Sequence, residues 1–294
     1  MQRQWLKMAR RVGISILVIA LAVQAYLLRG SRFTNITTFA PTVQTTPVPT
    51  LLIPGWGGNT WTYQRFIDYA ARHHYAQHTM TIWVAPSGKV TVKGHVQKVT
   101  VKGHVQGVKN PLIQLLYTWN YTPTYQGQVK QLTRVLLLLA RDYQVHDLNV
   151  VAHSYGGTEW LHAYIANPQL QRQLNFHRVI LLGVPTDESF GAKTKYTQTL
   201  FKRSVDPEFL KLTHQIQTAH LGSDDHLYNW MGQTQPGTDG EVPIVQSEML
   251  RSLIKNKHVH YHQRIFPATN HIQLHQKPTI LRQICQVLWG KGNG

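Results

Sequence analysis

Ala152-His153-Ser154-Tyr155-Gly156 sets a serine among small residues, directly after the apolar run Leu148-Asn149-Val150-Val151. A helical segment, Gly157 to Ala166, follows at once. That context is a tight strand-to-helix turn. Such a turn needs small neighbours, strains the serine backbone and lifts its hydroxyl above the end of the strand. The helix behind it offers its N-terminus to developing negative charge. The chemistry implied is nucleophilic attack by a serine hydroxyl. Ala152 stands where the first glycine of G-x-S-x-G would be, and alanine is small enough to serve.

A nucleophilic serine needs a base, an acid that orients the base, and donors for the oxyanion. Leu51-Leu52-Ile53-Pro54-Gly55-Trp56-Gly57-Gly58-Asn59 reads as a strand running into a glycine-rich loop, with a helix pattern from Trp61 to His74. The backbone amides of Trp56, in that loop, and of Tyr155, after the serine, are the expected oxyanion donors. His271 is the expected base. It follows a strand read over His258 to Phe266 and precedes a helix near Lys277 to Leu288. The chain holds 17 histidines, so position rather than residue type selects it. His275, four residues on and nearer the helix, is the rival. Asp239 is the expected acid, in the turn-rich stretch Gln235-Pro236-Gly237-Thr238-Asp239. Asp224 and Asp225, read as ending a strand over Ile216 to Leu221, are its alternatives. Asp187 and Asp206 flank a lid segment and rank below them.

Five segments together resemble the uncharacterised cell-surface α/β-hydrolase family of Gram-positive bacteria. They are Pro54-Gly55-Trp56-Gly57-Gly58-Asn59, Asn110-Pro111-Leu112-Ile113-Gln114, Ala152-His153-Ser154-Tyr155-Gly156-Gly157, Asp239-Gly240-Glu241-Val242-Pro243 and His271-Ile272-Gln273-Leu274-His275. The resemblance runs from about residue 50 to the C-terminus. It implies an α/β-hydrolase fold, with a mostly parallel central sheet covered by helices, and a triad on Ser154, Asp239 and His271. Many relatives carry His where this chain has Pro54, a departure inside the oxyanion loop. The expected reaction is hydrolysis of a carboxylic ester, and the triad chemistry calls for no cofactor and no metal. Acyl transfer to another acceptor would use the same groups. A non-catalytic surface-binding protein on the same scaffold is the alternative of a different class.

The elements that must position these residues are read from periodicity. Tyr125 to Tyr143 reads as a helix, Leu148 to Ala152 as a strand and Val179 to Leu182 as the next strand. Thr186 to Leu212 holds no clear strand and reads as a lid insertion; its Lys193, Lys195, Lys202 and Arg203 suit an anionic or surface-bound substrate. Lys89 to Gln97 recurs unchanged at Lys98 to Gln106. Each copy alternates apolar and polar residues, so with Thr79 to Ala85 they predict an added β-hairpin with a turn or bulge near Gln97-Lys98. His258, His260 and His262 alternate on one strand face. No Cys or carboxylate stands near them to complete a metal site, so they read as an exposed polar face.

With 294 residues, 42% of them hydrophobic, the chain can bury one sizeable core. Arg3, Lys7, Arg10 and Arg11 precede Val12 to Leu28, a run without charge, and Arg29 and Arg32 come after it. The run is at the lower limit for a membrane span. Its basic flank keeps the N-terminus in the cytoplasm and exports the rest of the chain. Residues 1–30 therefore read as a signal anchor, 31–49 as a Thr/Pro-rich linker and extended tether, and 50–294 as the catalytic domain. Cleavage after Val23-Gln24-Ala25, with secretion, is the lesser alternative. Cys285 is the only cysteine, so no intrachain disulfide forms, which suits a Gram-positive cell surface. The formal net charge of +17 would attract anionic lipid headgroups or wall polymers. No nucleic-acid motif accompanies it, and nucleic acid is not an expected partner. The expected substrate is a small-molecule or lipid-like ester.

Overall fold

The strands of the sheet are short apolar runs bounded by turns: β1 (Thr50–Ile53), β2 (Gln77–Val84), β3 (Val90–Gly94), β4 (Pro111–Tyr117), β5 (Asp147–His153), β6 (Asn175–Leu182), β7 (His226–Gln233) and β8 (His260–Pro267). They form one sheet in the order β3-β2-β4-β1-β5-β6-β7-β8. Every neighbouring pair is parallel except β2 with β3. β1 and β4 are buried along their whole length, as strands covered on both faces must be. The structure, a computed structural model, describes residues 2–96, 107–186, 207–219, 221, 225–255 and 257–292.

The helices are α1 (Gln2–Leu27), α2 (Thr60–Arg72), α3 (Gln126–Asp142), α4 (Tyr155–Ile165), α5 (Pro168–Gln173), α6 (Pro207–Thr218), α7 (Ile244–Leu253) and α8 (Pro278–Trp289). Helix α2 buries Tyr63, Phe66, Ile67 and Ala70, a single stripe at helical spacing. That stripe joins Ile280, Ile284 and Leu288 of α8 in a core on one face of the sheet. Residues of α3, α4, α6 and α7 build the larger core on the other face. This is the three-layer architecture of the α/β-hydrolase fold.

The elements differ from the sequence expectations in several places. Ile216 to Leu221 is not a strand, because α6 runs through Thr218. The strand that precedes Asp239 is β7, read as none in the sequence because the stretch His226–Gln233 has no β-branched residue. Asp225 stands at the start of β7, the sheet edge away from Ser154. Asp224, Asp187 and Asp206 lie outside the described residues, as do most of the lid segment and its Lys193, Lys195, Lys202 and Arg203. The first copy of the duplicated nonapeptide forms β3 and pairs with β2 as a hairpin; the second copy, with the turn near Gln97-Lys98, lies outside the described residues. Strand β8 begins at His260, so His258 precedes it.

The Thr/Pro-rich stretch 31–49 is extended, but it is laid along the domain rather than left free. Thr34 N donates to His78 O at 3.0 Å, and His78 N donates back to Thr34 Oγ1 at 2.8 Å. Thr46 N donates to Asn110 Oδ1 and Asn110 N to Thr46 O, both at 2.7 Å. Val43 bridges to Gly290 beyond α8 and is buried with Trp289.

Candidate active site

Parallel strands deliver their following loops to one edge of the sheet, and there the sequence-predicted residues meet. Ser154 directly follows β5 and directly precedes α4. Its backbone has φ 53° and ψ −136°, a left-handed conformation that a residue with a side chain adopts only when its surroundings enforce it. Ser154 N donates to Leu182 O at 2.9 Å, and Gly157 N donates to Ser154 O at 2.9 Å. These bonds pin both sides of the turn. Gly55, in the loop after β1, lies so close that a Cβ there would sit 2.7 Å from Ser154 Cβ. Only glycine lets the two loops meet at that spacing.

The loop after β7 carries Asp239, and the loop after β8 carries His271. His271 Nδ1–H donates to Asp239 Oδ2 at 2.7 Å, with both side chains almost fully buried. The second carboxylate oxygen, Oδ1, accepts from Glu241 N at 3.0 Å and Val242 N at 2.8 Å. The carboxylate is thus hydrogen-bonded at both oxygens, and it holds His271 with the proton on Nδ1 and Nε2 turned outward. Gly183 leaves room beneath the pair: a Cβ there would lie 2.9 Å from both Asp239 Oδ2 and His271 Nδ1.

Ser154, His271, Trp56 and Tyr155 line one cavity of about 610 Å³ at this edge. His275 lines it as well, but its ring is buried and packs on His153, with centroids 4.3 Å apart. Burial lowers its pKa to about 4, and its Nδ1 has no hydrogen-bond partner. Asp239 pairs with His271 and not with His275.

Sequence reasoning missed several groups that hold this arrangement. His153 Nε2–H donates to His271 O at 3.2 Å. Desolvation, aided by the two neighbouring histidines, holds the His153 pKa well below the ordinary value, so it acts as a neutral post. Asn120 Nδ2 donates to Gly55 O at 2.8 Å, and Trp56 Nε1 donates to Thr122 O at 3.1 Å; both tie the loop after β1 to the loop after β4. Tyr63 Oη donates toward Ile53 O and Val151 O, each at 3.0 Å, across the ends of β1 and β5. Glu241 brings a second carboxylate, largely exposed, to 3.9 Å from His271 Nε2. No local pattern marks any of these, because all but the Tyr63–Ile53 bond join segments 30 or more positions apart. Among the described residues no group of three His, Cys, Asp or Glu is placed to hold a metal. His260 and His262 instead stack with His226 on the outer strands, at 4.6 and 5.5 Å.

The sheet order, the strained serine after β5 and the loops after β7 and β8 define an α/β-hydrolase. Residues 39–291 match the family described as alpha/beta hydrolase of unknown function (DUF915), and the chain belongs to that family. Among solved structures, a Listeria innocua gene product shares 20% identity and superposes with a TM-score of 0.66, over 82% of this chain and 93% of that one. A Lactobacillus plantarum protein, provisionally described as a cell surface hydrolase, shares 17% identity with a TM-score of 0.64, over 85% and 92%. Both come from Gram-positive bacteria, and a Gram-positive α/β-hydrolase family fits the chain. No curated protein matches it.

Proposed function

We propose that this protein is a membrane-anchored, exported serine hydrolase of carboxylic esters. The observation that carries the reading is the buried His271–Asp239 pair at 2.7 Å, on the cavity that also holds the strained Ser154. In this reading Ser154 Oγ attacks the ester carbonyl while its proton passes to His271 Nε2. The oxyanion accepts from the Trp56 and Tyr155 amides. Collapse of the tetrahedral intermediate breaks the acyl C–O bond, and His271 gives the proton to the leaving alcohol. Water then attacks the acyl-serine, delivering one proton through His271 back to Ser154 and releasing the carboxylic acid. Asp239 keeps the imidazole in the right tautomer and stabilises its charged form. No step needs a cofactor.

The anchor reading rests on α1. Its segment Lys7–Leu27 is long and apolar enough to cross a membrane, and its apolar stretch is not packed into the core of the domain. The basic residues before it and the surface charge of the domain fit an export orientation and attraction to anionic lipid or wall polymer.

The test is Ser154→Ala in the full-length protein. It should abolish both fluorophosphonate labelling and hydrolysis of p-nitrophenyl butyrate while leaving the unfolding midpoint unchanged, since loss of a nucleophile costs several powers of ten. Near-parent turnover in the variant would overturn the assignment. For the anchor, protease added to intact cells should digest the domain while the protein fractionates with membranes. A soluble cytoplasmic protein would refute it.

A further inference from the structure

Helix α1 leaves the domain at the rim of the candidate active site. Gln24 Nε2 donates to Thr118 O at 3.1 Å, just past β4. The Tyr26 ring meets Trp61, which lines the cavity, edge-on at 6.1 Å. Trp83 Nε1 donates to Leu28 O at 2.7 Å, and Gly30 N to Thr60 Oγ1 at 3.1 Å. Thr118, Trp83 and Thr60 all lie at the sheet edge that carries Ser154. The stretch 31–49 then runs back to the opposite edge, where β1 starts, held by His78 and Asn110 on the way. A free linker of that length could span roughly 60 Å and would let the domain face any direction. Docked, it fixes the pocket on the anchor's side.

The same rim is aromatic and exposed. Trp56, Trp61 and Trp119 are 51%, 52% and 52% exposed, and Tyr121 is 43% exposed. Trp56 and Trp119 each meet Tyr121 at 5.4 Å, so three of the four rings form one patch, while Trp61 packs on the end of the anchor. Ile272, 50% exposed, stands on the opposite lip. Contiguous exposed apolar surface marks an interaction site, and tryptophan and tyrosine concentrate where membrane meets water. Beside the anchor's end a second cavity, of about 770 Å³, is lined by Arg29, Arg32 and Lys93, with Asp68 as its one acidic wall residue. Its net positive lining complements anionic headgroups at the level where α1 would leave the bilayer.

We infer that the catalytic pocket opens onto the surface of the very membrane that holds α1. The aromatic rim sits in the interfacial layer, and the substrate is an ester of an amphiphile in that leaflet, reached without leaving the surface. This rests on the serine-hydrolase and anchor readings above and adds the substrate class.

The test uses full-length protein in liposomes of phosphatidylcholine and phosphatidylglycerol. Cys285 is buried, so a nitroxide reagent will label only an introduced thiol. Trp119→Cys places the label on the rim. Asp142→Cys places it at the end of α3, on the far edge of the sheet. Collisions with a water-soluble nickel chelate should be lost at position 119 and retained at 142. In the same liposomes, Arg29→Gln with Arg32→Gln should lower the ratio of bilayer phospholipid-ester turnover to soluble-ester turnover by about tenfold. A label at 119 as open to nickel as that at 142 would overturn the inference and leave the rim to a wall polymer or a second copy; soluble-ester hydrolysis in that sample would show that the hydrolase reading survives. A shielded 119 in protein that hydrolyses neither ester would overturn the substrate class together with the hydrolase reading.

Discussion

Asp239→Asn tests the candidate site at its most buried point. The change is isosteric, and the structure dictates how the amide must sit. Oδ1 accepts from two backbone donors, Glu241 N at 3.0 Å and Val242 N at 2.8 Å, so the amide oxygen takes that place. The amide nitrogen then faces His271 Nδ1, 2.7 Å away in the parent. A donor facing Nδ1 forces that atom to accept, which moves the ring proton to Nε2. Nε2 faces the pocket, and once protonated it cannot take the serine proton. In the chymotrypsin-type triad the equivalent change lowers kcat by about 10⁴, and the same arrangement here sets the same expectation. Four decades correspond to about 5.4 kcal/mol of lost transition-state stabilisation. Steady-state hydrolysis of p-nitrophenyl butyrate reads it, with thermal unfolding as the control for folding. Asp225→Asn, at the other edge of the sheet, should leave turnover intact. A folded Asp239→Asn variant within about tenfold of the parent would refute the tautomer argument, and a larger loss in Asp225→Asn would move the acid.

Buried polar groups around the site set three further outcomes. Burial raises the Glu159 carboxyl well above its ordinary range, and Tyr117 Oη donates to it at 2.7 Å. The folded group keeps its proton where the unfolded one loses it, so the parent sheds stability as pH rises above 4.5 toward the folded value. Glu159→Gln should therefore be at least as stable as the parent at neutral pH in urea unfolding, whereas Glu159→Ala, which orphans the Tyr117 hydroxyl, should cost about 2–4 kcal/mol. His275 has the opposite sign. Its pKa falls from 6.5 to about 4, so the unfolded chain takes up the proton first, and the stability from keeping it neutral is present above pH 6.5 and lost on descending to about pH 4. The loss is about 3 kcal/mol, and the melting curve of His275→Gln should flatten in that window; an unchanged slope would contradict it. Asn110 sits at φ 47° and binds Thr46 N, Gln44 O and Tyr75 O. Asn110→Ala should cost about 3 kcal/mol and open residues 31–49 to limited proteolysis, while Asn110→Gly, free of the backbone strain, should cost less.

The features legible in the sequence were those that local chemistry fixes. The elbow at Ser154 shows because strand, turn and helix are contiguous, and the turn demands small residues at fixed offsets. The loop at Gly55–Gly58 shows for the same reason, and Asn59 then opens α2 with a capping box. Order along the chain and turn residues single out His271 and Asp239 as candidates, and the structure pairs them across 32 positions. Strand β7 escaped because it has no β-branched residue and no apolar/polar alternation, and Asn229 and Gly232 are poor strand formers. Asn229 is there to bond Ser247 O and Tyr261 Oη, a tertiary reason that no window of sequence contains.

The stretch 31–49 shows why composition alone misjudges a linker. Threonine and proline without periodicity describe a chain that makes no secondary structure of its own, and 31–49 makes almost none. Whether such a chain floats or docks depends on partners elsewhere. Gln114 Oε1 accepts from Ser31 N at 2.7 Å, and its Nε2 donates to Thr60 O at 3.3 Å, so a glutamine in the centre of β4 ties the stretch to the start of α2. A buried glutamine in a parallel strand is costly unless both ends of its amide are paired, and here the pairing is the docking. Asn110 does the same at the lower end. Gln114 inside β4 and Asn110 just before it therefore set how α1 stands relative to Ser154. Removing either would leave the site's own geometry in place and free its orientation, which separates the chemistry of this protein from its access to a surface.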